Sequence, residues 1–245
     1  MVYTVEVMSR PFVSVLTPTY NRKRFLPYLV ECYKAQTYPK ERMEWILLDD
    51  GTDKVGELFL SLTKGLPNIR YIALEEKVNI GVKRNRLNQE AKGDIMVCMD
   101  DDDYYPPERV AHAVTKLMSQ PKVELAGCSE LYMHFSTAKV ILKLGPYHDR
   151  HATNGTMAYK ARYAKTHTYD ETVTHAEEKS FLEDYKYPMV QLDAFKVMLV
   201  ISHSENTSGK ERFLTDTKNP FVKHTNLKIQ TFIKEKRLRD FYSSA

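Results

Sequence analysis

Asp94-Ile95-Met96-Val97-Cys98-Met99, followed by Asp100-Asp101-Asp102-Asp103, is the stretch from which the fold is read. The apolar run has the length of a strand, with Ile95, Val97 and Met99 on one face. Four carboxylates then open at its carboxyl end. In an open α/β sheet, ligands bind outside the carboxyl ends of the strands, so a strand that empties into a charged cluster marks both an architecture and a place in it.

Working upstream, short apolar runs alternate with helical periodicities, the sign of a mostly parallel sheet flanked by helices. Phe12 to Thr17 reads as a first strand and Glu44 to Leu48 as a second; Ile69, Tyr71 and Ala73 alternate as a third. Between them, Phe25, Leu26, Leu29, Val30 and Tyr33 fall on one helical face, and Val55 to Thr63 gives a second helix. Asn79 to Lys92 is a polar helix with a basic start. Downstream, Pro106 and Pro107 suit a helix entry, and Val110, Ala113, Val114, Leu117 and Met118 make an inward stripe. Glu124 to Phe135, Val140 to Leu144 and Met189 to Ile201 are rich in β-branched and aromatic residues and read as mixed or antiparallel strands, with Gly145 to Thr156 a loop. Leu227 to Phe241 reads as one basic helix. Its Lys228, Lys234, Lys236, Arg237 and Arg239 suit peripheral contact with a membrane surface or partner, against the commoner solvated helix face.

Bulk composition sets bounds on function. The 245 residues, 42% of them hydrophobic, suffice for one sizeable α/β domain. The net charge of +4, from 36 basic and 32 acidic residues, is too small an excess to mark a nucleic-acid surface. Cys32, Cys98 and Cys128 lack metal-ligand spacing and point to reduced thiols in a cytoplasmic protein, with Cys98 a core residue. No apolar run reaches the roughly 18 residues of a membrane span, and Met1 to Arg10 lacks the apolar stretch of a signal peptide.

Three polar turns fall at strand ends: Thr17 to Arg22, Asp49 to Asp53 and Asp100 to Asp103. One such turn would be ordinary turn chemistry. Adjacent carboxylates raise one another's pKa unless a cation neutralises them, so a bound metal is the natural compensation for the third; the alternative is a solvated loop with Asp103 as a helix cap. His203 closes the run Met198-Leu199-Val200-Ile201, and a histidine among carboxylates favours Mn²⁺ while leaving Mg²⁺ open. A lone histidine satisfied by hydrogen bonds is the bland reading. Glu177 and Glu178 likewise suit the positive end of a helix.

Val13-Ser14-Val15-Leu16-Thr17-Pro18-Thr19-Tyr20-Asn21-Arg22, Trp45 to Gly51, Gly81-Val82-Lys83-Arg84-Asn85-Arg86 and Asp100 to Pro106, taken in order, resemble the motifs of GT-A fold glycosyltransferases of family 2 type. That resemblance implies a GT-A catalytic domain over residues 1–209, with a nucleotide-binding half to about 105, an acceptor-side half beyond it and a basic extension at 210–245. It implies a nucleoside-diphosphate-sugar donor, commonly a uridine nucleotide, and a glycan or other hydroxyl acceptor. Thr17, Pro18, Tyr20 and Arg22 would line the nucleotide pocket, Asp50 would meet the base and Arg84 would help fix the nucleotide. Asp100 would sit by the ribose and donor sugar and Asp102 would ligate the metal, with Asp101 or Asp103 able to exchange roles in a run of four. Glu178 matches the position of the catalytic base beside Glu177, His203 that of a further metal ligand, and Asn154-Gly155-Thr156 a loop under the donor sugar. The expected reaction is inverting transfer. Its rivals are a nucleotidyltransferase, for which the first turn lacks a glycine-rich phosphate loop, and a non-catalytic module that binds nucleotide or glycan.

Overall fold

The computed structural model describes residues 10–203, 205–206, 209–216 and 218–245. Met1 to Ser9, on which most of the leader expectation rests, lies outside them. Strands β1 (Val13–Thr19) and β2 (Met43–Asp49) are buried at every residue, which is why they read as continuous runs and not as alternating ones. Strand β3 (Ile69–Ala73) is half-buried along most of its length, and β4 (Ile95–Cys98) is fully buried.

Between these strands lie helices α1 (Leu26–Ala35), α2 (Gly56–Leu62) and α3 (Ile80–Glu90), and α4 (Arg109–Ser119) follows β4. Helix α1 buries Leu26, Leu29, Val30 and Tyr33 as its periodicity requires. In α4, Val110, Ala113, Val114 and Leu117 are buried. Met118 is not: it is 40% exposed, because the next position around the helix from Leu117 lies past the edge of the stripe.

The larger sheet runs β3-β2-β1-β4-β8-β5-β9, where β5 is Leu125–Gly127, β8 Ala158–Lys160 and β9 Met189–Gln191. Strands β1 to β4 pair in parallel, and β8 runs antiparallel between β4 and β5. Because β2 lies on one side of β1 and β4 on the other, strand order reverses at β1. That is the switch point at which a crevice opens between neighbouring loops.

A second sheet, β10-β6-β7-β11, contains β6 (Leu131–Phe135), β7 (Val140–Leu144), β10 (Leu199–Ser202) and β11 (Val222–His224). The apolar runs at 124–135 and 189–201 are therefore each divided between the two sheets. Two short helices, α5 (Ala161–Ala164) and α6 (Glu178–Phe181), precede β9, and α7 (Arg212–Thr215) precedes β11.

The basic helix expected over 227–241 is broken into α8 (Ile229–Phe232) and α9 (Lys236–Ser244). Ile233 is pulled fully into the core at the break, and the Glu235 side chain restarts the helix by accepting from the Leu238 amide at 2.8 Å. Leu238 and Tyr242 are buried against the main core, and the Tyr242 hydroxyl donates to the carbonyl of Asp103 at 3.1 Å. Cys32, Cys98 and Cys128 are buried free thiols. No helix among the described residues is long and apolar enough to cross a membrane.

Candidate active site

The carboxyl ends of β1 and β4 open onto one cavity of about 490 Å³, within the range of small-ligand sites. Register brings the turns together. Thr19 lies opposite Asp49 in the β1–β2 pair, and on the other side the Thr19 hydroxyl donates to Asp101 at 2.5 Å. Asn21, at φ 52°, folds the first turn back so that its amide oxygen accepts from the backbone of Thr52 and Asp53.

The four aspartates diverge in role. Asp100 meets the Arg84 guanidinium at 3.0 Å, and burial raises its pKa despite that cation. Asp101 is raised to about 8 by burial and by the Asp102 charge. Asp103 turns inward and accepts from the Ile201 amide at 2.8 Å; burial holds its pKa well above the carboxylate range. Asp103 therefore links β4 to β10 and caps no helix. Asp102 is the exception: burial would raise it, but a hydrogen bond from His203 and the charges of Lys210 and Arg22 leave it lowered. Groups of the chain itself therefore favour the ionised form of Asp102.

Asp102 and His203 come together although they are 101 positions apart, with Nε2 of the histidine 3.0 Å from Oδ2. Asn206 stands 3.3 Å from the same oxygen, and its Oδ1 accepts from the His203 amide. Arg22 lies 3.8 Å from Asp102 and also reaches Glu205 at 3.1 Å. Among the described residues no group of three or more His, Cys, Asp or Glu side chains is arranged to enclose a cation. The pair Asp102 and His203 nevertheless sets one carboxylate oxygen beside one imidazole nitrogen, with Asp102 lining the cavity and the His203 side chain fully buried behind it. That donor set suits a hard dication that takes its remaining ligands from water or phosphate oxygens.

Helix α3 is unusual in burying charge: Lys83, Arg84 and Asn85 all lie on its inner face. Each has a partner, as buried polar groups require. Lys83 meets Asp50 at 2.7 Å; Arg84 bridges Asp100 and Glu177, at 3.0 and 2.7 Å. The Asn154 amide fits between Arg84 and the Tyr169 hydroxyl with its oxygen toward the guanidinium, 2.7 Å from one terminal nitrogen. Asn85 clasps the backbone of Tyr169 from both sides, and Gly81 packs so closely on Asp170 that a β-carbon there would sit 2.0 Å from its carbonyl oxygen. The segment preceding α6 is thereby fixed against α3, with Ala176 at φ 55° turning the chain into Glu177.

Glu177 is committed to Arg84, whereas Glu178 lines the cavity beside it. Burial and the neighbouring Glu177 charge push the Glu178 carboxyl up to about 7, a value suited to proton exchange near neutrality.

A family model described as "Glycosyl transferase family 2" matches residues 14–166. The chain belongs to that family. The matched span runs from β1 through β8 and α5, includes Asp100 to Asp103, and ends before both Glu178 and His203. Among curated relatives of this family 2 chain, the putative teichuronic acid biosynthesis glycosyltransferase TuaG of Bacillus subtilis is 28% identical over 112 residues, 45% of this chain and 44% of that one. An uncharacterized glycosyltransferase of Methanocaldococcus jannaschii is 22% identical over 205 residues, 76% and 70% of the two chains. The matches to the first relatives thus span less than half of their length. Solved structures share the GT-A fold. The Pyrobaculum calidifontis mannosyltransferase PcManGT, in complex with GDP-Man and Mn2+, superposes with a TM-score of 0.64 at 17% identity, over 84% of this chain and 60% of that one. S. aureus TarS 1–349 in complex with UDP-GlcNAc gives 0.62 at 18%, over 79% and 59%.

Most of the residues singled out in the sequence of this family 2 chain meet at the cavity. Pro18, Tyr20, Arg22, Arg84, Asp100, Asp101, Asp102, Asn154, Gly155, Glu177 and Glu178 line it, with His203 behind Asp102. Thr17 does not: it is fully buried, and its hydroxyl accepts from Trp45 Nε1 at 3.0 Å. Strand alternation turns it away from Pro18. Thr156 is also internal, bonded to the Cys128 amide at 3.1 Å and the Thr153 carbonyl at 2.8 Å. Asp50 is buried, its oxygens taken by Lys83 and by the Val78 amide at 3.0 Å. Two further basic residues carry no signal in the sequence: Lys77, which lies 4.4 Å above the Tyr20 ring, and Lys210, whose charge acts on Asp102 and Asp103. Only Lys83, inside the quoted Gly81 to Arg86 motif, carried a signal.

Proposed function

We propose that this chain transfers a sugar from a nucleoside-diphosphate sugar to a hydroxyl acceptor, with inversion, and that residues 1–209 are its catalytic portion. The observation that carries this reading is that Asp102, backed by His203, and Glu178, its carboxyl raised to about 7, line one cavity. The similarity to structures in complex with GDP-Man and with UDP-GlcNAc supports a nucleotide-sugar donor, with UDP our expectation for the nucleotide.

In this reading Tyr20 and Lys77 border the nucleotide base, with Lys83 holding Asp50 in place beneath it. Asp100, oriented by Arg84, accepts from donor hydroxyls. Mn²⁺ or Mg²⁺ held by Asp102 and His203 would supply Lewis-acid stabilisation of the departing diphosphate. Arg22 and Lys210 add positive charge on the same side, where negative charge gathers as the glycosidic bond breaks. Glu178, which also lines the cavity, removes the proton from the acceptor hydroxyl as its oxygen attacks the anomeric carbon. Glu177 acts through Arg84 as a positioning residue.

The test is incubation of the chain with Mn²⁺ and a nucleotide-sugar panel, reading the nucleotide product. Release of nucleoside diphosphate, lost in Glu178→Gln, is the expected result. Pyrophosphate release marks a nucleotidyltransferase and overturns the reading. Tight donor binding with neither transfer nor slow hydrolysis across a broad acceptor panel assigns a binding module instead.

A further inference from the structure

Part of the cavity is lined by apolar side chains from β6 and from the chain entering and forming β10. Strands β6 and β10 run in parallel with Met133 level with Val200 and Tyr132 level with Leu199. Alternation along the strands puts Leu131, Met133, Met198 and Val200 on one face, and all four line the cavity. The intervening Leu199 and Ile201 are fully buried in the core.

Met198 comes nearest the chemistry. A β-carbon placed on Gly155 would stand 3.1 Å from Met198 Cε and 2.9 Å from Asp100 Oδ2. The thioether thus borders the carboxylate assigned above to the donor sugar. The cavity lining also includes polar groups, among them Asn154, Arg84, Glu177 and Glu178, with Asp103 and Lys210 holding the Ile201 peptide at the edge of β10. A sugar bound in the cavity meets carboxylates and amides as well as the four apolar side chains.

A hexose bearing only hydroxyl groups fits such a site poorly. A hydroxyl pressed onto Leu131, Met133, Met198 and Val200 leaves water and finds only weakly accepting thioether sulfurs in return. A methyl group at the same place loses nothing and buries apolar surface. We propose that the donor's sugar carries a methyl-ended substituent, either an acetamido group or a 6-deoxy carbon, which packs on Met198 and Met133. These two residues then select against fully hydroxylated hexoses. The inference rests on the glycosyltransferase reading above and adds the class of donor.

The experiment is calorimetric titration of the chain in Mn²⁺ with matched donors: UDP-GlcNAc against UDP-glucose, and GDP-D-rhamnose against GDP-D-mannose. The first pair tests the acetamido group and the second the 6-deoxy carbon. In one pair the methyl-bearing donor binds at least about tenfold more tightly, the discrimination expected when a small apolar group fills an apolar pocket. Met198→Gln, of similar length with a polar end, reduces that preference at least about threefold, while Met198→Leu retains it. Binding of UDP or GDP alone reports whether each variant is folded, and Met133→Gln replaces Met198→Gln if that variant is not. Affinities equal within about threefold in both pairs overturn the proposal and leave the transferase reading standing. A preference unchanged in the glutamine variant also overturns it. If neither UDP, GDP nor any of the four donors binds, both readings fall together.

Discussion

Glu178 is the residue on which the chemistry can be tested most sharply, because its ionisation links activity to stability with opposite signs. Its carboxyl is raised to about 7 by burial and by Glu177. If it is the base, kcat/KM follows its deprotonated fraction, which is about one tenth at pH 6, half at pH 7 and nine tenths at pH 8. Activity therefore rises roughly tenfold from pH 6 to pH 8 and then levels. Glu178→Gln loses about 10² to 10⁴ in turnover while still binding donor. Stability moves the other way. A carboxyl whose folded pKa lies above its unfolded value contributes stability that is fully present below the unfolded pKa of 4.5 and is lost as pH rises through about 7. The interval from 4.5 to about 7 sets a ceiling near 3 kcal/mol. Contact with cavity water reduces this to about 1–2 kcal/mol. Glu178→Gln removes the cost of ionisation, so its Tm exceeds that of the wild type at pH 8 and approaches it at pH 4.5. Glu177→Gln removes one negative neighbour and releases Arg84, both of which lower the Glu178 pKa, so the activity profile shifts to lower pH. A flat pH profile together with a fully active Glu178→Gln would refute the assignment of the base.

Asp102→Ala or His203→Ala should weaken Mn²⁺-dependent binding of UDP by about 10- to 100-fold while leaving the fold intact, measured by calorimetry with and without the cation. Gly155→Ala places a β-carbon 2.9 Å from Asp100 Oδ2, and should lower kcat/KM through displaced donor contacts, with a stability loss of about 1–3 kcal/mol in denaturant unfolding. Thr17→Val strands the buried Trp45 Nε1 donor, so it should cost about 1–3 kcal/mol of stability and leave donor affinity within about twofold of wild type. A large loss of donor affinity in that variant would return Thr17 to the nucleotide pocket.

The strands and helices of the first hundred residues were legible because their periodicities are local: Phe25, Leu29 and Tyr33 repeat at helical spacing whatever they pack against. So were the three polar turns, since each follows directly on its own strand. Less legible was the second half, where one apolar run serves two sheets. Nothing local in Glu124 to Phe135 says that Gly127 ends one sheet and Leu131 starts another, and that division depends on which partner strands arrive. The break at Ile233 has the same origin, a long-range demand for a buried side chain overriding a continuous helical pattern.

The four consecutive aspartates show most directly where sequence stops. Their repulsion, and the need for compensation, follow from four carboxylates in a row and required no coordinates. Which of them stays ionised does not follow, because the compensating groups come from distant elements: Arg84 from α3, Ile201 from β10 and His203 and Lys210 from the chain beyond it. Charge interactions fall off over a few ångströms in space and take no account of separation along the chain. The sequence by itself determined that this protein has a parallel α/β core ending in an acidic crevice, while only the tertiary structure decided that Asp102 is the carboxylate facing His203 and that Glu178, not Glu177, is left free.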